Sequence, residues 1–173
     1  MTDLASVIEP ASGIEPVEIK VVDWLDPRAI TLRDAMNVET GAMYAKFTAS
    51  QSPETTAAID ASLAVDPASI AVTIIAFAGD TPVGHSALRP FGDELEVKKV
   101  FTDPAARGLG VAKRMLAWLE EYAVAHGVTS LVLQTGSLQV EAIGLYEAIG
   151  YRHIPVFGAY SVIPGAICMR KQL

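Results

Sequence analysis

The stretch Val100-Phe101-Thr102-Asp103-Pro104-Ala105-Ala106-Arg107-Gly108-Leu109-Gly110-Val111-Ala112 decides how the rest of the chain is read. A strand-like run from Glu94 to Thr102 leads into it. Ala112, Met115, Leu116, Leu119 and Ala123 follow at helical spacing, which predicts an amphipathic helix over about Gly108 to His126. Between strand and helix, the N–H groups of the first helical turn lack partners and carry the positive end of the helix dipole. Glycines at 108 and 110 let the backbone approach an oxygen closely, and Arg107 adds a cation that can fork onto a pyrophosphate. Lys98, Lys99, Arg107, Lys113 and Arg114 surround this turn with Asp103 as the sole acid among residues 98–114, a local net charge of 5 − 1 = +4. The pattern predicts an anion site.

Two familiar phosphate motifs do not fit. A dinucleotide fingerprint needs glycine or alanine where Lys113 stands, and an acid at the end of the next strand, where the chain reads Leu133-Gln134-Thr135. A P-loop needs GxxxxGK followed by Ser or Thr, which the chain lacks.

Upstream, residues 1–16, with Pro10, Gly13 and Pro16, read as a flexible arm, and 17–173 as a single domain. Val17 to Trp24 reads as a strand. Pro27 opens a helix to about Ala42, and Ser52-Pro53 opens another to about Val65. Ile70 to Ala78 and Val83 to Arg89 form a hairpin around Gly79-Asp80, and Glu94 to Thr102 adds a third strand. Downstream come a strand at Ser130 to Gln134, a helix over Val140 to Ile149, and closing strands near Tyr151 to Phe157 and Ile167 to Lys171. A three-strand meander feeding a βαβ unit predicts an α/β (α+β mixed) fold with helices on both faces of a mixed sheet.

The chain's 173 residues suit one domain, and 51% apolar against 19% charged residues allow a sizeable core. A net charge of −7 and a pI near 4.9 argue against nucleic-acid binding. Residues 1–66 hold 11 acids and 4 bases, while 67–173 hold 9 of each, so the negative charge lies in the first part. Cys168, a lone cysteine, makes no internal disulfide and points to a reducing, cytoplasmic setting. No apolar run approaches the ~20 residues of a membrane span, so no membrane association is expected. His85, His126 and His153 show no metal-ligand spacing, and no metal is expected.

The strand, turn and helix written RGxGxA resemble the acyl-CoA-binding motif of the GNAT family of N-acetyltransferases. Gln139-Val140-Glu141-Ala142-Ile143-Gly144-Leu145-Tyr146-Glu147-Ala148-Ile149-Gly150-Tyr151 resembles that family's NxxAxxLYxxxGF segment. The motifs cover about residues 67–173, and Leu133-Gln134-Thr135-Gly136 with the ending Cys168-Met169-Arg170-Lys171 looks like a small bacterial branch.

The resemblance implies a central mixed, mostly antiparallel sheet of about six to seven strands flanked by about four helices. It implies acetyl transfer from acetyl-CoA to a primary amine of a small molecule or peptide, directly in a ternary complex. The alternative is a non-catalytic acyl-CoA-binding or sensing module. Val100, Phe101 and Thr102 would lie beside the pantetheine arm like an added strand. Backbone N–H groups from Arg107, Gly108, Leu109, Gly110, Val111 and Ala112 would cradle the pyrophosphate, with Lys113 and Arg114 near the 3′-phospho-ADP and Gln139 where the family usually has Asn.

Tyr146 matches the family's general acid, and a backbone N–H at Val100 would polarise the thioester carbonyl. Glu96 aligns with the frequent base, with Glu94 or a water chain as alternatives. Core packing is expected for Trp24 and Tyr44 in preference to lining the acceptor pocket. The acidic first part, which walls the acceptor site in this family, favours a cationic amine. Family members are commonly dimers, which implies a homodimer.

Overall fold

The computed structural model describes residues 16–173. The arm expected over residues 1–16 therefore lies, but for Pro16, outside the described residues. One seven-stranded sheet runs through the rest in the order β1-β2-β3-β4-β5-β7-β6. Its strands are β1 (Val17–Val22), β2 (Val72–Ala78), β3 (Thr81–Phe91), β4 (Glu94–Thr102), β5 (Ser130–Gly136), β6 (Arg152–Ile154) and β7 (Ala166–Gln172). Every neighbouring pair is antiparallel except β4 with β5. The mixed, mostly antiparallel sheet with four α-helices is thus the architecture the motifs implied.

The helices are α1 (Pro27–Ala49), α2 (Pro53–Leu63), α3 (Val111–Ala125) and α4 (Val140–Ala148). Local chemistry sets the first two starts. Asp26 and Ser52 accept backbone N–H bonds at 2.8 and 3.1 Å, from Arg28 and Thr55, and Pro27 and Pro53 occupy first-turn positions that need no donor.

The period of two in β2 sends Ile74 and Ala76 to one face and Ile75 and Phe77 to the other. The first face meets Val111, Met115, Leu116, Leu119 and Ala123 of α3, with Tyr146 of α4 in the same cluster. On the second face, Ile75, Phe77 and Phe101 pack on Ala29 and Leu32 of α1.

Helix α1 runs two turns beyond the expected end at Ala42. Only Ala29, Leu32 and Arg33 of it are buried, all within its first two turns, so its far half lies outside the core. Helix α3 starts at Val111 rather than Gly108, because Gly108 and Gly110 hold φ of 79° and 74°. The first closing strand shrinks to Arg152–Ile154.

Candidate functional site

The site begins where two strands part. β4 and β5 pair at Leu95–Leu131, Glu96–Val132 and Val97–Leu133, and nowhere beyond. At that point β4 carries a bulge, because β3 advances from His85 to Ala87 while β4 covers Phe101 to Lys98. Lys99, inside the bulge, has φ 54°, the only positive value for a non-glycine among the described residues. Lys99 and Val100 have no cross-strand partners on β3 or β5. The parted strands open a cleft of about 1210 Å³, roofed by Met36, Thr40, Tyr44 and Phe47 of α1.

At one end of the cleft lies the glycine turn. Asp103 accepts the N–H of Ala105 at 2.9 Å and bends the chain into a short 3-10 turn, Pro104–Ala106. Gly110 then starts α3 with no side-chain cap, and the first turn of α3 contains no acid. Its leading N–H groups therefore face the cleft mouth beside Arg107, Gly108 and Lys113, a geometry suited to a pyrophosphate. The Arg107 guanidinium is turned onto α1, where its Nη2 donates to both Glu39 oxygens at 2.8 and 2.6 Å.

Tyr146 approaches from α4. Its ring is buried against Tyr151, with centroids 5.7 Å apart, and burial raises its pKa above the usual phenol value. Its hydroxyl has no hydrogen-bond partner among the described residues, and the residue lines the cleft. Gln139 at the start of α4 accepts a bond from the Thr135 hydroxyl at 2.9 Å. Across the opening, the Tyr44 hydroxyl accepts the Leu138 N–H at 3.2 Å. A Cβ on Gly136 would collide with that hydroxyl, so only glycine lets α1 close down here.

The other end is built from buried charge. The Glu96 carboxylate is fully buried. It accepts Arg89 Nε at 2.7 Å, Lys98 Nζ at 3.3 Å and the Tyr160 hydroxyl. Tyr160 in turn accepts Lys98 Nζ at 2.6 Å and Arg89 Nη2 at 3.1 Å. Burial, together with the charges of Arg89 and Lys99, outweighs the pull of Glu96 and brings Lys98 down to about 8.

Behind the bulge, His85 Nδ1 meets the Lys99 carbonyl at 2.8 Å, and its Nε2 meets Arg33 Nη1 at 3.0 Å. Burial first, then the Arg33 and Lys99 charges, hold His85 at about 4, so its neutral ring donates from Nδ1 and accepts at Nε2. Arg33 stacks 3.8 Å over Trp24 and donates to the Trp24 carbonyl at 2.6 Å.

Comparison with known proteins decides what this arrangement is. The model of the Acetyltransferase (GNAT) family matches residues 32–151. The chain belongs to the GNAT family. An IAA acetyltransferase of Azospirillum brasilense is 37% identical over 90 residues, 52% of this chain and 59% of that protein. Human N-acetylaspartate synthetase is 35% identical over 85 residues, 48% of this chain and 28% of that one. The chain thus spans less than two thirds of the length of these relatives. Among solved structures, the PaiA N-acetyltransferase of Thermoplasma acidophilum in complex with coenzyme A shares the fold. Its TM-score is 0.64 at 16% identity, over 91% of this chain and 99% of that one.

Within this GNAT chain, Val100, Phe101, Thr102, Arg107, Gly108, Gly110, Val111, Ala112, Lys113, Gln139 and Tyr146 all line the one cleft. Leu109 does not; between two left-handed glycines, it stands 38% exposed outside it. Glu96 does not either, because its oxygens are used behind the wall by Arg89, Lys98 and Tyr160. Glu94 is tied at the far end of β4 to Arg170 at 2.7 and 2.8 Å and to Ser130 at 2.6 Å, and the Arg170 bonds lower its pKa. Glu94, the expected alternative base, therefore does not line the cleft either.

Tyr44 lines the cleft, against the expectation of core packing, whereas Trp24 serves Arg33. The acids expected to favour a cationic acceptor stay out of the deep site. Asp34 and Asp60 are exposed, and Glu39 is taken by Arg107. From the sequence, Arg89, Tyr160 and the Arg33–His85 pair have no assigned role, and Lys98 and Lys99 read only as part of the basic cluster around the glycine turn. The one visible signal was the pair of consecutive lysines in an apolar strand. Among the described residues there is no group of three or more side chains able to hold a metal, and no helix is long and apolar enough to cross a membrane.

Proposed function

We propose that residues 17–173 act as one acetyltransferase domain that moves the acetyl group of acetyl-CoA to a primary amine in a ternary complex. The carrying observation is the single cleft that joins the uncapped, glycine-led start of α3, the unpaired edge of β4 and the Tyr146 hydroxyl. Pantetheine lies along Val100 to Thr102 as an added strand, and the pyrophosphate sits on the α3 N-terminus. Arg107 joins it by leaving Glu39. Gln139 and Lys113 flank the cofactor, and Leu109 contributes its backbone alone.

The amine nitrogen attacks the thioester carbonyl, polarised by the Val100 N–H, and the carbon–sulfur bond breaks. Tyr146, kept protonated by burial, gives its proton to the departing thiolate. The proton lost by the amine passes to Lys98, whose pKa of about 8 lies near the working pH, and which Glu96 and Tyr160 hold at the cleft wall, from where the proton returns to solvent once the product leaves. Glu96 is thus a positioning residue and Lys98 the group that meets the acceptor. A cytoplasmic setting and a homodimer complete the reading, and the mass in solution checks the dimer.

Thiol release from acetyl-CoA across a panel of amines tests the activity. Amine-dependent release that falls sharply in Tyr146→Phe supports it. Saturable acetyl-CoA binding with no release for any amine would leave a non-catalytic binding module instead.

A further inference from the structure

The bulge that opens the cleft also redirects side chains. In a regular strand Lys98 and Lys99 would face opposite sides of the sheet. Here the extra residue on β4 and the left-handed backbone at Lys99 bring both residues to the cleft wall. Glycine or asparagine takes that backbone more readily than lysine, so the position holds a lysine against local preference.

The two lysines differ in what they hold. The Lys98 ammonium is engaged by Tyr160 and Glu96. The Lys99 ammonium has no hydrogen-bond or ion-pair partner among the described residues, although the residue is half-buried. Burial, with the charges of Arg33 and Arg89 nearby, holds its pKa below the usual lysine value.

The deep charge is also unbalanced. Arg89 and Lys98 share one carboxylate, Glu96, and Lys99 lies near enough to Arg89 and Arg33 to feel their charges, while Arg33 is held by His85 and the Trp24 carbonyl with the exposed Asp34 nearby. The acids that line the cleft, Glu39, Asp60 and Glu141, belong to its outer parts, two of them exposed and the third bound to Arg107. A buried excess of positive charge is unfavourable until an anion meets it. Met36, Ile59, Leu63 and Ile163 supply the apolar wall beside it.

We propose that Lys99 anchors a carboxylate of the acceptor, so that the acceptor is an amino acid with an apolar part rather than a polyamine or a simple alkylamine. This rests on the acetyltransferase reading and reverses the cationic preference drawn from net charge. The Lys99 ammonium pairs with the acceptor carboxylate while the acceptor amine lies toward Lys98 and the thioester.

The test follows thiol release from acetyl-CoA with apolar amino acids, their amides and their decarboxylated amines, and follows acetyl-CoA binding by calorimetry. The amino acids should exceed their amides by about 30-fold or more in kcat/KM. Lys99→Gln should remove most of that ratio through KM with acetyl-CoA affinity kept, and Lys99→Arg should restore part of it. Lys99→Asn, which suits the left-handed backbone, should behave as Lys99→Gln does if the fold is intact. Equal use of amides and decarboxylated amines, or an unchanged ratio in Lys99→Gln, overturns the inference and leaves the acetyltransferase intact. Acetyl-CoA bound without thiol release from any acceptor, or no acetyl-CoA binding at all, overturns both.

Discussion

At the end of the cleft proposed for the cofactor, the lining is one continuous stretch within residues 100–113, turned by two left-handed glycines that lead into the uncapped N–H groups of the first α3 turn. At the other end Lys98 and Lys99 reach the wall, and the network that holds Lys98 from behind is brought from β3, β4 and the turn at residues 158–162, which meet only in the folded chain. A backbone cradle accepts one shape of ligand and tolerates side-chain change. A side-chain network sets charge and proton movement, and each member depends on the others. Substitutions at the two ends should therefore fail differently.

The largest effect is expected at the cradle. Gly110→Val puts a β-branched residue at φ 74°, which displaces the start of α3. Acetyl-CoA affinity measured by calorimetry should fall by about 100-fold or more, and the strained backbone should lower the melting temperature by several degrees without unfolding the protein at room temperature. Tyr146→Phe keeps the cradle and removes the proton donor, so kcat should drop by roughly 10²- to 10³-fold with acetyl-CoA affinity unchanged. Equal losses in binding and turnover would erase the distinction between the two ends.

At the acceptor end the signature is a pH profile. Neutral Lys98 takes the proton, so kcat should rise with pH through about 8, and Lys98→Met should lose both that rise and about 10-fold or more of kcat near pH 8. Further in, His85 titrates at about 4 when folded against about 6.5 when unfolded. The unfolded chain takes up the proton first. His85 thus contributes stability above pH 6.5 that is lost as pH falls toward 4, about 3 kcal/mol in all by linkage. Denaturant melts across that range check it, and His85→Leu should flatten the dependence. The smallest effect is at the bridge between α1 and the cradle. Glu39→Gln frees Arg107 from an exposed pair worth about 0.2–1 kcal/mol, so acetyl-CoA should bind about 1.5- to 5-fold more tightly.

The same contrast governs what was readable beforehand. The cradle, Tyr146 and the order of strands sit in local patterns with fixed spacing, and the structure gathers them in one cleft. The acceptor end does not read from one segment, because Arg89, Glu96, Lys98 and Tyr160 lie up to 71 residues apart. Glu96 was visible as a strand carboxylate, yet its complete burial depends on partners from other elements. The far half of α1 escaped for a related reason. Its Tyr44 and Phe47 face the cleft instead of the core, so the apolar stripe that marks a helix is weak there.

The most direct test of the central claim, that the parting of β4 and β5 holds acetyl-CoA, is a calorimetric titration of acetyl-CoA into the intact protein and into a variant with Arg107→Ala and Gly108→Val. Micromolar, one-to-one binding in the former and its loss in the latter is the predicted result. A folded, intact protein that takes up no acetyl-CoA would contradict it.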